Sequence, residues 1–169
     1  MNRKTIRRTG IWFAIVVSAA AGIFGSVNAA HHETTDTSSP QSVADRLDIL
    51  QVIAQYSYTF DGRDSEGWAA LFTEDASWQF IAPGSPEPLT DLNGRDEILA
   101  WAKGRHASMP EDSISYHHQS GISFDELTAD TAKTRVMVII TAHTKGSTTP
   151  PAVFLTGVYH DEWKKTAEG

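Results

Sequence analysis

The chain changes its hydrophobic period once, at Met109-Pro110, and this change limits the folds open to it. Before that point apolar residues recur at helical spacing. Val43, Leu47, Leu50, Ile53 and Ala54 make one such stripe, running to about Phe60 and ending at Asp61-Gly62. Ser42 followed by Asp45 reads as the cap and first-turn acid of that helix. A short second helix is expected over Ser65–Leu71, with Trp68, Leu71 and Phe72 inward, and a third over Arg95–Arg105. Between them Thr73–Asp75 reads as a turn and Ser77–Ile81 as a strand. Pro83, Gly84, Pro86 and Pro88 exclude regular structure from the next segment. After Met109-Pro110, three runs rich in β-branched and aromatic residues read as long strands: Tyr116–Leu127, Ala132–Thr144 and Ala152–Lys164. Helices first and antiparallel strands afterwards imply an α+β fold, with helices packed on one face of a sheet.

The first 29 residues follow another logic. Arg3, Lys4, Arg7 and Arg8 precede an apolar stretch, Gly10–Phe24, and then the small residues Val27-Asn28-Ala29. This order is that of a secretory signal peptide cleaved after Ala29. The alternative, an uncleaved anchor, would need an apolar run nearer about 20 residues. The expected organisation is a leader over 1–29, a flexible tether over 30–41 and one domain over 42–169. The expected location is exported, periplasmic or secreted, with no membrane attachment after cleavage.

Composition narrows the function. The chain has 169 residues and a formal charge of −7. Loss of 1–29 removes four basic residues and no acidic ones, leaving 10 basic against 21 acidic, a net −11. A surface of that sign does not suit nucleic acid. It favours a neutral or cationic ligand over an anionic one, unless local charges override the total. The absence of cysteine excludes disulfides, thiolate metal sites and a cysteine nucleophile. No helical His-x-x-x-His occurs, and the neighbours His117 and His118 diverge on a strand, so no metal site is expected. His31-His32 lies in the tether and reads as bland. No glycine-rich phosphate loop or dinucleotide fingerprint is present.

Four stretches carry a resemblance. Ile53–Ala76 (IAQYSYTFDGRDSEGWAALFTEDA) resembles the opening of a SnoaL-like domain, a group within the nuclear transport factor 2-like superfamily. Asn93–Ile98 resembles its third-helix entry, Tyr116–Gln119 its first long strand, and Val158–Trp163 a later one. The resemblance covers residues 42–169 and implies a cone-shaped α+β fold whose helices and sheet enclose one pocket. It is closest to scytalone dehydratases and bile-acid 7α-dehydratases, and so implies a tyrosine, an aspartate and a strand histidine at work. Tyr56, Asp61 and His117 match these, and His143 is placed as a second histidine. Tyr58, Trp78 and Phe80 are the expected pocket-lining aromatics. The implied chemistry is dehydration or isomerisation of a small polycyclic or aromatic hydroxy-ketone, with no cofactor, in a homodimer or homotrimer.

Two features depart from the wider superfamily. Phe80–Gly84 lacks the acid that ketosteroid isomerases use as base. Family members also continue past a segment like Thr166–Gly169 into a final strand, so the sheet is expected to be one strand short. A rival reading keeps the same cone as a non-catalytic binding module, or as an oligomer-forming structural domain. Each residue also has a plain role: Tyr56 as a half-buried helix tyrosine, Asp61 as a turn former, His143 as a surface strand residue, and the aromatics as core.

Overall fold

The computed structural model describes residues 5–13 and 39–166. In chain order these form β1 (Thr5–Phe13), α1 (Pro40–Asp61), α2 (Ser65–Ala69), β2 (Phe72–Phe80), β3 (Thr90–Asn93), α3 (Arg95–Ser108), β4 (Ser113–Leu127), β5 (Thr131–Thr144) and β6 (Ala152–Thr166). The strands make one sheet in the order β3-β2-β1-β6-β5-β4. All its pairs are antiparallel except β1–β2. The three helices pack on it, which is the expected α+β arrangement.

Helix α1 begins earlier than expected. Ser39 is the cap: its hydroxyl accepts from the Ser42 backbone N–H at 3.1 Å, and Pro40 fits the first turn, where no N–H is needed. Ser42 is buried one turn in. The inward stripe also differs from the predicted one. Ile49, Val52, Ile53 and Tyr56 are buried, whereas Val43, Leu47 and Leu50 are exposed. The helix is apolar on more than one side, so periodicity finds the helix but does not choose its buried face.

The core lies between α1–α3 and the sheet. Trp68, fully buried, sits at its centre with its ring 4.9 Å from Phe72, 5.1 Å from Phe60 and 5.4 Å from Tyr56. Strand β5 shows the period of two clearly: Ala132, Thr134, Val136 and Val138 are buried, and the residues between them are exposed. In β4, Gly121 has φ +58 beside a register shift, and a Cβ there would lie 3.0 Å from the Met137 sulfur. Only glycine suits that position.

Three predicted details give way to longer strands. Thr73–Asp75 is not a turn but part of β2. A short strand, β3, pairs with β2 from Ser77↔Asn93 to Phe80↔Thr90, inside a segment that reads as loop. Thr5–Phe13 does not lie outside the fold in the full chain: it fills the sheet position between β2 and β6. The cleavage site at Ala29 and residues 30–38 of the tether lie outside the described residues.

Removal of residues 1–29 would take β1 away and open ladder groups on both β2 and β6. The chain beginning at Ala30 is therefore expected to melt below the full chain, or to associate through the opened edges. Each kcal/mol lost shifts the midpoint by roughly 2–4 °C in a domain somewhat larger than this one. Equal midpoints and equal monomeric masses would show that β1 adds nothing to the sheet.

Candidate functional site

Asp61 ends α1, where the helix dipole disfavours a carboxylate. Its oxygens are satisfied from outside the helix. The backbone N–H of His117 donates to Oδ2 at 2.8 Å, and the His117 ring Nδ1 lies 2.6 Å from Oδ1. Ser115 Oγ approaches the same Oδ1 at 3.4 Å. The His117 and Asp61 side chains are only 7% and 11% exposed, so this pair is shielded from solvent.

Neighbouring contacts bring these residues together. Arg63, two residues after Asp61, has φ 60 and turns the chain back. Its guanidinium donates to the carbonyls of Pro110 (2.6 Å) and Ser113 (2.9 Å), tying the start of β4 to the end of α1. Further along β4, Gln119 Nε2 donates to the Ile53 carbonyl at 2.9 Å and to Ser57 Oγ at 2.7 Å. The turn that reads as merely solvated is thus an attachment point.

A carboxylate so close to Nδ1 holds the proton on that nitrogen, because the Nδ1–H donates a hydrogen bond to it. The neutral ring then carries its lone pair on Nε2. His117 lines a cavity of about 350 Å³. Each surrounding element contributes at its own period. Tyr56 and Phe60 come from α1 and Trp101 and Arg105 from α3, both pairs four residues apart. Trp78 and Phe80 alternate on β2, as do Ser113, Ser115 and His117 on β4. Ile140 and Ala142 supply β5, and Leu155 and Tyr159 supply β6, joined by Phe154 near the start of that strand. The His117 ring packs edge-on to Phe60 at 5.3 Å and Tyr56 at 6.0 Å. The volume and the apolar, aromatic wall suit a small organic ligand.

Tyr56, Trp78, Phe80 and His117 therefore share one cavity, with Asp61 behind His117. Two predicted members do not join them. Tyr58 is 81% exposed, because two residues along a helix turn a side chain to another face. His143 sits on the opposite face of the sheet, its ring 6.1 Å from that of Tyr116. The alternation that turns Ala142 inward turns His143 outward. His118 also points away and pairs with Thr141 Oγ1 at 2.9 Å. Sequence reasoning missed Ser115, Trp101, Arg105 and Tyr159. The Ser113-Ser115-His117 alternation and the Trp101/Arg105 spacing were the available signals. Among the described residues no cluster of three or more His, Asp or Glu could hold a metal ion. No described helix is long and apolar enough to cross a membrane.

His106 supports the site from behind. It is buried, with Nδ1 2.7 Å from Ser65 Oγ and its ring 4.7 Å from Phe60. Burial holds its pKa below the ordinary histidine value; Arg63 and Arg105 push the same way, against the Phe60 backbone and Asp61. A histidine depressed in the folded state binds protons more readily when unfolded. Its stability contribution is complete above the unfolded pKa of about 6.5 and is lost as pH falls toward the folded value. His160, also depressed by burial, has the same sign. Urea unfolding midpoints are expected to fall between pH 7.5 and 5.5, and less steeply in His106→Gln. An unchanged slope would show that His106 does not titrate there.

The sequence matches the SnoaL-like domain over residues 41–169. None of the curated proteins matches it. Among solved structures, a scytalone dehydratase candidate from Novosphingobium aromaticivorans is 25% identical with a TM-score of 0.58, the match covering 75% of this chain and 82% of that one. Two more distant structures show the fold alone. ActVI-ORFA from Streptomyces coelicolor is 18% identical with a TM-score of 0.59, covering 70% and 84% of the two chains. LinA is 17% identical with a TM-score of 0.58, covering 75% and 84%. A domain match over most of the chain, on a fold with helices packed against one sheet, makes this protein a member of the SnoaL-like family within the nuclear transport factor 2-like superfamily.

Proposed function

We propose that the protein is a cofactor-independent dehydratase or isomerase acting on a small polycyclic or aromatic hydroxy-ketone. One observation carries this reading: His117 opens on an aromatic cavity while Asp61 holds its Nδ1 from behind. In a dehydration, Nε2 of His117 removes the proton α to the carbonyl. The C–H electrons form the enolate, and Asp61 stabilises the imidazolium. Tyr56, one of the cavity-lining residues, donates to the carbonyl oxygen as charge develops there. The imidazolium returns its proton to the β-hydroxyl, the C–O bond breaks and water leaves. Acid–base help of this kind supplies roughly 10²–10⁴-fold, and one oxyanion donor about 2.7–4 kcal/mol. His143 has no part in the scheme, being on the other face of the sheet.

A second reading keeps the cavity but not the chemistry: a carrier of small apolar or aromatic molecules. The cavity's mainly apolar wall favours it equally. The basic, apolar and small-residue order of 1–29 supports export to the periplasm or beyond. The exposed Tyr116, Met137 and Ile139 on the outer face of β4–β5 support self-association as a dimer or trimer.

A hydroxytetralone with its hydroxyl β to the ketone is a direct probe, because loss of water gives a fluorescent naphthol. Naphthol formation is expected with the wild type. It should fall about 10²–10⁴-fold in His117→Ala and about 10²–10³-fold in Tyr56→Phe, with circular dichroism unchanged. The ¹⁵N shifts of His117 should report the Nδ1–H tautomer, and Asp61→Asn should disturb it. Binding without turnover would leave the carrier as the better account, and turnover surviving His117→Ala would show that His117 is not the base.

A further inference from the structure

The cavity carries one permanent positive charge. Among its described lining residues Arg105 is the sole Lys or Arg, and no Asp or Glu joins it there. Arg105 lies in the last turn of α3, where the dipole tolerates any cation, but that role does not require it to face the cavity. Its guanidinium has no hydrogen-bond or ion-pair partner among the described residues, unlike Arg63, Arg95 and Arg135, which are all engaged. Trp101 stands one turn before it on the same cavity wall, and Met109 and Pro110 lie just beyond. Arg105 is itself exposed, so its guanidinium stands at the solvent side of this aromatic wall with its planar fork free to meet an anion.

We propose that Arg105 is a specificity-determining residue that selects ligands joining an aromatic ring system to a carboxylate or similar planar anion. The proposal rests on the cavity being the ligand site, as in the proposed function. The net charge of −7 favours neutral or cationic ligands across the molecule as a whole, and Arg105 reverses that preference locally. The rings lie in the cavity against the wall that Trp101, Trp78 and Tyr56 form. The anion takes the two-pronged hydrogen bonds that a guanidinium offers a carboxylate. Arg105 thereby sets which end of a ligand enters the cavity; it takes no part in proton transfer.

Naphthoate and naphthamide have nearly the same shape and differ in charge, so calorimetric titration of the full chain with both separates the contributions. The wild type is expected to bind naphthoate at least about tenfold more tightly than naphthamide in low salt, the scale of one charge-assisted hydrogen bond. Arg105→Gln should remove that advantage and leave naphthamide affinity unchanged. Arg105→Lys should keep part of it, since the charge remains and the fork does not. Thermal melting of each variant checks that the fold is intact. If both ligands bind alike and Arg105→Gln changes neither, the proposal is overturned while the cavity remains a ligand site. If neither ligand binds the wild type, both readings fall together.

Discussion

The carboxylate of Asp61 stands at the wrong end of its helix. The last carbonyls of α1 repel it, and burial between α1 and β4 denies it most of its water. It is stable there because β4 meets it with a backbone N–H and a ring nitrogen of the same residue, His117. Of these two partners the ring belongs to the side chain and the N–H to the backbone, so the carboxylate keeps one of them whatever residue other than proline stands at 117. The need to meet the carboxylate sets where β4 crosses α1, and so which strand residues face the cavity. Arg63 and Gln119 secure the crossing on either side.

The cavity follows from this crossing. Two residues from each of several elements point into a common space, and the rings among them are too rigid to fill it. Trp68 packs edge to face on Tyr56 and Phe60, whose rings lie nearly parallel and line the cavity. Polarity enters at few points: the serines of β4, the histidine, the tyrosines and one arginine. An apolar container with a small number of placed polar groups is the general form of a small-molecule site.

Legibility in the sequence varied with the range of the interaction behind each feature. Helices α1 to α3 and strands β4 to β6 were readable because period and turn residues are local. The inward face of α1 was not. Val43, Leu47 and Leu50 are as apolar as Ile49, Val52 and Ile53, and only the position of the sheet separates the two sets. Strand β3 escaped because four residues hold no period; their pairing with β2 defines them. The place of Thr5–Phe13 in the sheet likewise depends on two remote edges, those of β2 and β6. At the site, Tyr56, Asp61 and His117 could be named from family resemblance, but their meeting could not be derived from spacing.

The sequence by itself determined the α+β order and the residue types able to move a proton. Those properties reside in single residues and in short periods. Only the tertiary structure decided that Asp61 reaches His117 across 56 positions, that His143 and Tyr58 face away, and that Arg105 overlooks the cavity. Side-chain direction alternates with each residue of a strand and turns about a helix. A role therefore depends on register, and register is set by distant partners.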